Sequence, residues 1–251
     1  MEKQNNLPYH AVSLNNSGFS LLKKQSDGKY ICESYKNATL PTLQRECGVF
    51  FDTSADQTLV SVNPSAPLLV PREFYQRPAA AYLKLQYDLS DNDEVFEDEF
   101  GEYVALYAVP MNKTLPLRAT LPSPIFRHAM TLWYHHLLHF DATVPYKMLL
   151  HFNGKKVGFI LLKNNQLLLV NQFEFHQQDD IVYYVLNILQ QHEAAFQEAH
   201  LFLGGNVSDM KGLKKVFSRY VSHVEAAGEE QVEIEDLQGN KVNPHTCMYL
   251  I

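Results

Sequence analysis

The sequence predicts a mixed α/β protein built as two lobes, a duplicated fold with a central cleft. Three observations carry that expectation. Two strand meanders, over residues 10–35 and 147–175, each hold Asn and Gly in their first turn and each lead into helices and further strands. In the second half the meander runs into an amphipathic helix and then into the apolar run Leu201-Phe202-Leu203, closed by Gly204-Gly205-Asn206. The chain has 251 residues, enough to bury roughly 70–75% of its unfolded surface and so to fill two intimate lobes.

Residues 10–14, 19–24 and 30–35 read as short strands. Their separators, Asn15-Asn16-Ser17-Gly18 and Ser26-Asp27-Gly28, are rich in residues that accept the positive φ of hairpin turns. A short helix follows at 42–51, then strands at 58–62 and 68–70, then a helix over 77–87. Residues 88–102 hold Asp88, Asp91, Asp93, Glu94, Glu97, Asp98, Glu99 and Glu102 with no Lys or Arg between them. That charge pattern predicts a solvated loop kept extended by like-charge repulsion. Residues 103–109 alternate as a strand, halted by Pro110. The proline-rich stretch 110–124 is the predicted boundary, which divides the chain into lobes at 1–121 and 122–251. Ser123 as a cap and Pro124 at the first helical position predict a helix over 123–140, with Ile125, Ala129, Leu132, Trp133 and Leu137 on one face.

In the second half, residues 147–152, 156–162 and 166–175 form three antiparallel strands linked by Asn153-Gly154-Lys155 and Lys163-Asn164-Asn165. Asp179 and Asp180 sit at the start of the next helix, where carboxylates suit the positive end of the dipole. Its apolar face runs from Ile181 through Phe196 to Ala199. Residues 201–203 read as a central strand, 208–220 as a helix, and 221–226 and 232–234 as strands. No element is assigned from Gly239 onward.

Composition excludes several tasks. The formal net charge is -7, and no basic cluster offsets it, so the chain carries no footprint for binding nucleic acid. Apolar runs are broken well before about 18 residues, which argues against a membrane span. The polar opening 1–6 lacks an apolar secretory core, and Cys32, Cys47 and Cys247 form neither a metal pattern nor a disulfide framework. A reducing, cytoplasmic setting is the expectation.

Local motifs for chemistry are weak. His128, His135, His136 and His139 crowd one stretch, and His135 and His139 are four apart. A zinc protease needs Glu beside the first of such a pair, where His136 stands, and no third ligand is suggested. Neutral histidine, solvent-facing or partly buried, is the preferred reading, with no metal. Asp91-Asn92-Asp93-Glu94 lacks the central Gly and terminal Glu of a calcium loop. Neither a Gly-x-Ser-x-Gly elbow nor a phosphate-binding Gly-x-x-x-x-Gly-Lys-Ser/Thr loop occurs.

Residues 12–22 and 103–110, together with Asn171-Gln172-Phe173-Glu174-Phe175, Asp179-Asp180-Ile181-Val182-Tyr183-Tyr184 and Leu201-Phe202-Leu203-Gly204-Gly205, resemble an uncharacterised bacterial family. Its fold is actin-like (ribonuclease H-like), within the actin, Hsp70 and sugar-kinase superfamily. The resemblance covers nearly the whole chain. In the superfamily's enzymes two hairpins reading Asp-x-Gly hold the nucleotide phosphates, and their acids hold Mg²⁺ and orient the attacking group. The matching hairpins here are Asn15-Asn16-Ser17-Gly18 and Phe152-Asn153-Gly154-Lys155, with no carboxylate in either.

The resemblance therefore implies cofactor-position residues Asn15, Gly18, Asn153, Gly154, Gly204 and Gly205, but no catalytic residue and no metal ligand. Gly204-Gly205 either lets a nucleoside lie against bare backbone or serves a strand-to-helix turn ahead of Ser208. Without acids, a transferring phosphoryl group has no source of charge stabilisation. The expectation is a non-catalytic actin-like protein without a cofactor, acting through an unknown protein partner. One alternative is an ATP- and Mg-dependent ATPase or kinase that recruits Asp179, Asp180 or Glu174. Another is a regulatory module that binds a small molecule in the cleft.

Overall fold

The computed structural model describes residues 9–15, 18–25, 27–51, 55–228 and 232–251. The chain opens on an antiparallel meander of β1 (His10–Asn15), β2 (Gly18–Lys24) and β3 (Tyr30–Lys36). Helix α1 (Leu40–Phe50) carries it to β4 (Thr58–Val62), which pairs parallel to β1. A smaller sheet is inserted next, formed by β5 (Leu68–Pro71), β6 (Asp93–Phe100) and β7 (Tyr103–Pro110) around the short helix α2 (Ala80–Leu83). Helix α3 (Met111–Thr120) leads to β8 (Pro124–His128), parallel to β4, and then to α4 (Ala129–His139).

The second meander is β9 (Tyr146–Asn153), β10 (Lys156–Lys163) and β11 (Gln166–Glu174). After α5 (Gln178–Gln191), strand β12 (Ala199–Gly205) pairs parallel to β9. Helix α6 (Met210–Phe217) then leads to β13 (His223–Ala226), parallel to β12. Among the described residues the strand orders are β15-β14-β3-β2-β1-β4-β8 in one sheet and β11-β10-β9-β12-β13 in the other, where β14 (Ile234–Glu235) and β15 (Lys241–Val242) come from the C-terminal segment.

The alternation of side chains along the strands explains how these parts stack. Val12, Phe19, Leu21 and Ile31 point to one face of the seven-stranded sheet and pack with Leu43, Cys47 and Phe50 of α1 and Leu117 of α3. Their neighbours Ala11, Leu22 and Cys32 point to the other face, against Met130, Trp133 and Leu137 of α4. The five-stranded sheet divides the same way. Leu149, Ile160 and Phe202 join that α4 core, whereas Met148, Leu150, Phe159 and Leu203 pack on Ile181, Val185 and Leu189 of α5 and Phe217 of α6. With helices on both faces, β9 is buried at every position. Helix α4 thus lies between the two sheets.

Several sequence expectations change. The solvated loop expected over 88–102 is limited to 88–92 and the turn at 101–102, because 93–100 form β6, paired along its length with β7. Its carboxylates are matched by arginines distant in sequence: Glu94 with Arg118, Glu97 with Arg77, Asp98 with Arg127 and Glu99 with Arg72. The helix expected over 123–140 divides into β8 and α4, since 124–128 pair in parallel with β4. Ser123 stands at φ 36°, and the helix begins at Ala129 behind His128. The stretch 110–124 contains α3, with Pro116 inside it. Only residues 80–83 of the helix expected over 77–87 form one. The long helix from Asp179 stops at Gln191, and Ala199 is already in β12. The strand at 201–203 is interior, between β9 and β13, as its unbroken apolar run predicts.

Sheet membership crosses the 121/122 line twice: β8 joins the first sheet, and β14 and β15 return to it, β14 pairing parallel with β3. Beyond Gly239 the chain forms β15 and two single 3-10 turns, Pro244–Thr246 and Met248–Leu250. Asn16, Ser17 and Ser26, central to two predicted turns, lie outside the described residues.

Candidate functional site

The end of β9, the end of β12, the end of β1 and the C-terminal segment meet between the sheets. Helix α4 sets the geometry. Its start is held from two directions. The His128 Nδ1 accepts from the Met130 amide at 3.1 Å, and the buried Asp98 carboxylate accepts from the His128 amide at 2.7 Å. Its end is held by Lys147 of β9, whose ammonium donates to the carbonyls of Leu137, Leu138 and Phe140 at 3.0, 3.2 and 2.7 Å. Those are the orphan acceptors of a helix C-terminus, where a cation is also favoured by the dipole. Burial lowers the Lys147 pKa, with Asp141 opposing.

Trp133, the only tryptophan, is fully buried on this helix. Its indole N–H donates to His151 Nδ1 at 2.8 Å. Its ring stacks on Tyr249 of the C-terminal segment, with centroids 5.0 Å apart, and a Cβ built on Gly204 would stand 2.6 Å from its Cζ2. Tyr249 in turn shares a 2.6 Å hydrogen bond with Ser13 of β1. His245 Nδ1 lies 3.3 Å from the Gly205 carbonyl oxygen. The C-terminal segment is therefore packed into the space between the sheets.

What remains open there is a cavity of ≈ 10 Å³ lined by Ser13, Leu14, Asn15, Ser20, Asn63, Ala129, His151, Phe152, Asn153, Gly205, Asn206, Thr246 and Tyr249. That is about the space of one water molecule. Among these lining residues there is no Asp, Glu, Lys or Arg. The buried Asn63 side chain presents an Oδ1 with no hydrogen-bond partner among the described residues. His151 is neutral over the usual pH range. Burial, with His128 nearby, pulls its pKa down to about 3, and its Nδ1 must stay unprotonated to accept from Trp133.

The sequence-predicted positions divide evenly. Asn15, Asn153 and Gly205 converge on this cavity from three elements, but Gly18, Gly154 and Gly204 are not in its wall. Gly154 is an exposed hairpin residue at φ 63°. Gly204 is a glycine because the Trp133 ring lies against it. Gly205 combines φ 82° with a Cβ direction blocked by the Phe152 carbonyl oxygen. Ser13, Ser20, Asn63, His151, Asn206, Thr246 and Tyr249 were not anticipated. Asn63 follows β4, and a residue just past the C-terminal end of a parallel strand is the signal that could have marked it. Nothing in the local sequence marks Thr246 or Tyr249.

Asp98, the one buried carboxylate among the described residues, works on structure. It accepts from Tyr107 Oη at 3.2 Å and Arg127 Nη1 at 3.3 Å besides the His128 amide. Burial raises its pKa against those stabilising contacts. Burial also lowers the His128 pKa to about 4; its Nε2 bonds the Ser65 carbonyl oxygen at 2.7 Å, so the proton sits on Nε2.

The acids considered for relocated chemistry lie elsewhere. Asp180 accepts from the His176 and Gln177 amides at 2.8 and 3.1 Å, holding the start of α5, and those bonds lower its pKa. Glu174 and Asp179 are exposed, and none of the three lines the cavity. His135, His136 and His139 border a separate, open, largely apolar hollow with Tyr9, Leu59, Leu132, Tyr249 and Ile251. Burial, then His135 and His139, lower the His136 pKa to about 4. Among the described residues no group of three or more His, Cys, Asp or Glu is arranged to hold a metal ion, and no helix is long and apolar enough to cross a membrane.

The backbone is similar to solved actin-like structures. A Bacteroides thetaiotaomicron protein with an actin-like ATPase fold and unknown function superposes with a TM-score of 0.73 at 16% identity, over 96% of this chain and 95% of that one. The PilM-PilN type IV pilus biogenesis complex contains a chain that superposes at 0.59 and 12% identity, over 90% of each chain. The ethanolamine utilization protein EutJ from Carboxydothermus hydrogenoformans gives 0.52 and 7%, over 87% of this chain and 84% of that one. At these identities the likeness establishes the fold, a two-lobed actin-like architecture with mixed sheets. No curated protein matches the sequence. Residues 11–224 match the family described as protein of unknown function (DUF3822), and the chain belongs to that family of actin-like ATPase fold.

Proposed function

We propose that this chain is a non-catalytic actin-like protein whose interlobe site no longer handles nucleotide and which acts through contacts with another protein. One observation carries the reading. Asn15, Asn153 and Gly205, the residues at the inherited phosphate and nucleoside positions, meet around a cavity of ≈ 10 Å³ with no charged side chain in its described wall. Small-molecule sites usually measure about 300–1,000 Å³, and a magnesium nucleotide needs carboxylates to hold its metal. The residues present do not fit that group. Trp133, Tyr249 and Thr246 take up the space instead. On this reading the six glycine and asparagine positions are relics of a cofactor site, and the division near 121/122 is the line between two lobes now fixed against each other by α4 and the C-terminal segment.

The PilM relative was solved in a complex with PilN, which supports protein contact as a task this architecture takes on. The test is calorimetry and a hydrolysis assay on the full chain with Mg-ATP. The expected result is no saturable heat up to millimolar nucleotide and no phosphate release above buffer. Metal-dependent binding in the micromolar range, or turnover abolished by Asn153→Ala, would overturn the proposal.

A further inference from the structure

Cys32 and Cys247 stand 215 positions apart in the sequence, yet both pack in the same buried core cluster with their thiols near enough to interact. Both are free and buried, and both belong to the core between the sheets. Cys32 lies on β3 opposite Leu22. Cys247 separates the two 3-10 turns that carry Thr246 and Tyr249 into the cleft. The third cysteine, Cys47, is buried on the far side of the first sheet among Leu43 and Phe50, away from both.

We propose that Cys32 and Cys247 are a disulfide-forming pair whose oxidation ties the C-terminal segment covalently into the interlobe cleft. The inference does not depend on what the cleft binds, because the thiols meet whether or not a ligand ever enters. A thiol pair in contact needs only a two-electron acceptor, and a low-molecular-weight disulfide such as oxidised glutathione supplies that role. Cys247 reacts first, since it lies between two single 3-10 turns, which open locally at lower cost than the paired strand that holds Cys32. Its thiolate attacks one sulfur of the oxidant and releases one glutathione thiol. Cys32, whose thiol is kept protonated in the closed form by its contact with Cys247 and by burial, then loses its proton and displaces the second glutathione. The two protein thiols give up two protons and two electrons; the oxidant leaves as two thiols.

The consequence is local. Thr246 and Tyr249 flank Cys247 and form part of the cavity wall, so a bond from Cys247 to β3 fixes that wall to the first sheet. In the reduced protein the same segment is held by noncovalent contacts, chiefly Tyr249 on Trp133 and on Ser13.

The experiment uses the wild-type chain. It is incubated natively with oxidised or reduced glutathione, alkylated after denaturation, and mapped by mass spectrometry without reduction. The expected product in the oxidised arm is a peptide pair joined through Cys32 and Cys247, with Cys47 fully alkylated. Amide exchange over residues 244–251 should slow by about tenfold or more in that arm, as expected when local opening is suppressed. Cys247→Ser should abolish both changes, and Cys32→Ser should do the same. Full alkylation of all three cysteines after prolonged oxidation would overturn the proposal. So would a linkage through Cys47, or a Cys32–Cys247 bond that leaves exchange at the C-terminus unchanged.

Discussion

His128, the residue that caps α4, and His151, on β9 against Trp133, are both buried, and each accepts a hydrogen bond at Nδ1, from the Met130 amide and from the Trp133 indole respectively. An unfolded histidine titrates near about 6.5, whereas burial brings these two to about 4 and about 3. The folded protein therefore binds fewer protons than the unfolded chain between those values. The sign follows: stability is complete above about 6.5 and is lost as the pH falls toward the folded values. Each group costs about 1.4 kcal/mol per pH unit in that window, which gives about 2 kcal/mol each at pH 5 and about 4 kcal/mol for the pair. His136, lowered to about 4, acts in the same direction. Asp98, with its pKa raised by burial, acts in the opposite one.

The assay is urea unfolding at pH 7 and pH 5, followed by the emission of the single Trp133. His151→Asn is the decisive variant, since its amide oxygen can replace Nδ1 as acceptor but cannot be protonated; it should remove about half of the loss. Stability at pH 5 within about 1 kcal/mol of that at pH 7, or an undiminished loss in His151→Asn, would refute the reasoning.

Four further outcomes follow, three of them resting on contacts around α4. Gly204→Ala places a methyl group against the Trp133 ring and should cost about 1–3 kcal/mol by overpacking, read as a lower urea midpoint with a red-shifted native emission. Lys147→Met leaves the carbonyls of Leu137, Leu138 and Phe140 without their shared donor; a loss of about 1–3 kcal/mol is expected, and faster amide exchange should appear at the end of α4. Asp98→Asn weakens the bonds from the His128 amide, Tyr107 and Arg127 and should lower stability by about 2 kcal/mol, whereas Arg72→Ala, breaking an exposed pair with Glu99, should change it by less than about 1 kcal/mol in the same denaturation series.

Local pattern determined a good part of this molecule. The hairpin turns at Gly154 and at Asn164-Asn165 adopt the positive φ that their residues favour, and the uninterrupted apolar run 201–203 became an interior strand because covered faces leave no polar side to show. The same residues also showed that neither hairpin carries an acid. Tertiary structure decided the rest, because it depends on partners far along the chain. The acidic stretch became a strand by pairing along β7, with arginines 72, 77, 118 and 127 set beside its carboxylates, and helical spacing over 123–140 gave way at 124–128 to pairing with β4. The cleft was decided last. Tyr249 and Thr246 enter it only because β14 carries the chain back to β3, and that pairing, between Tyr30 and Ile234 set 204 positions apart, leaves no periodic trace for a sequence to display.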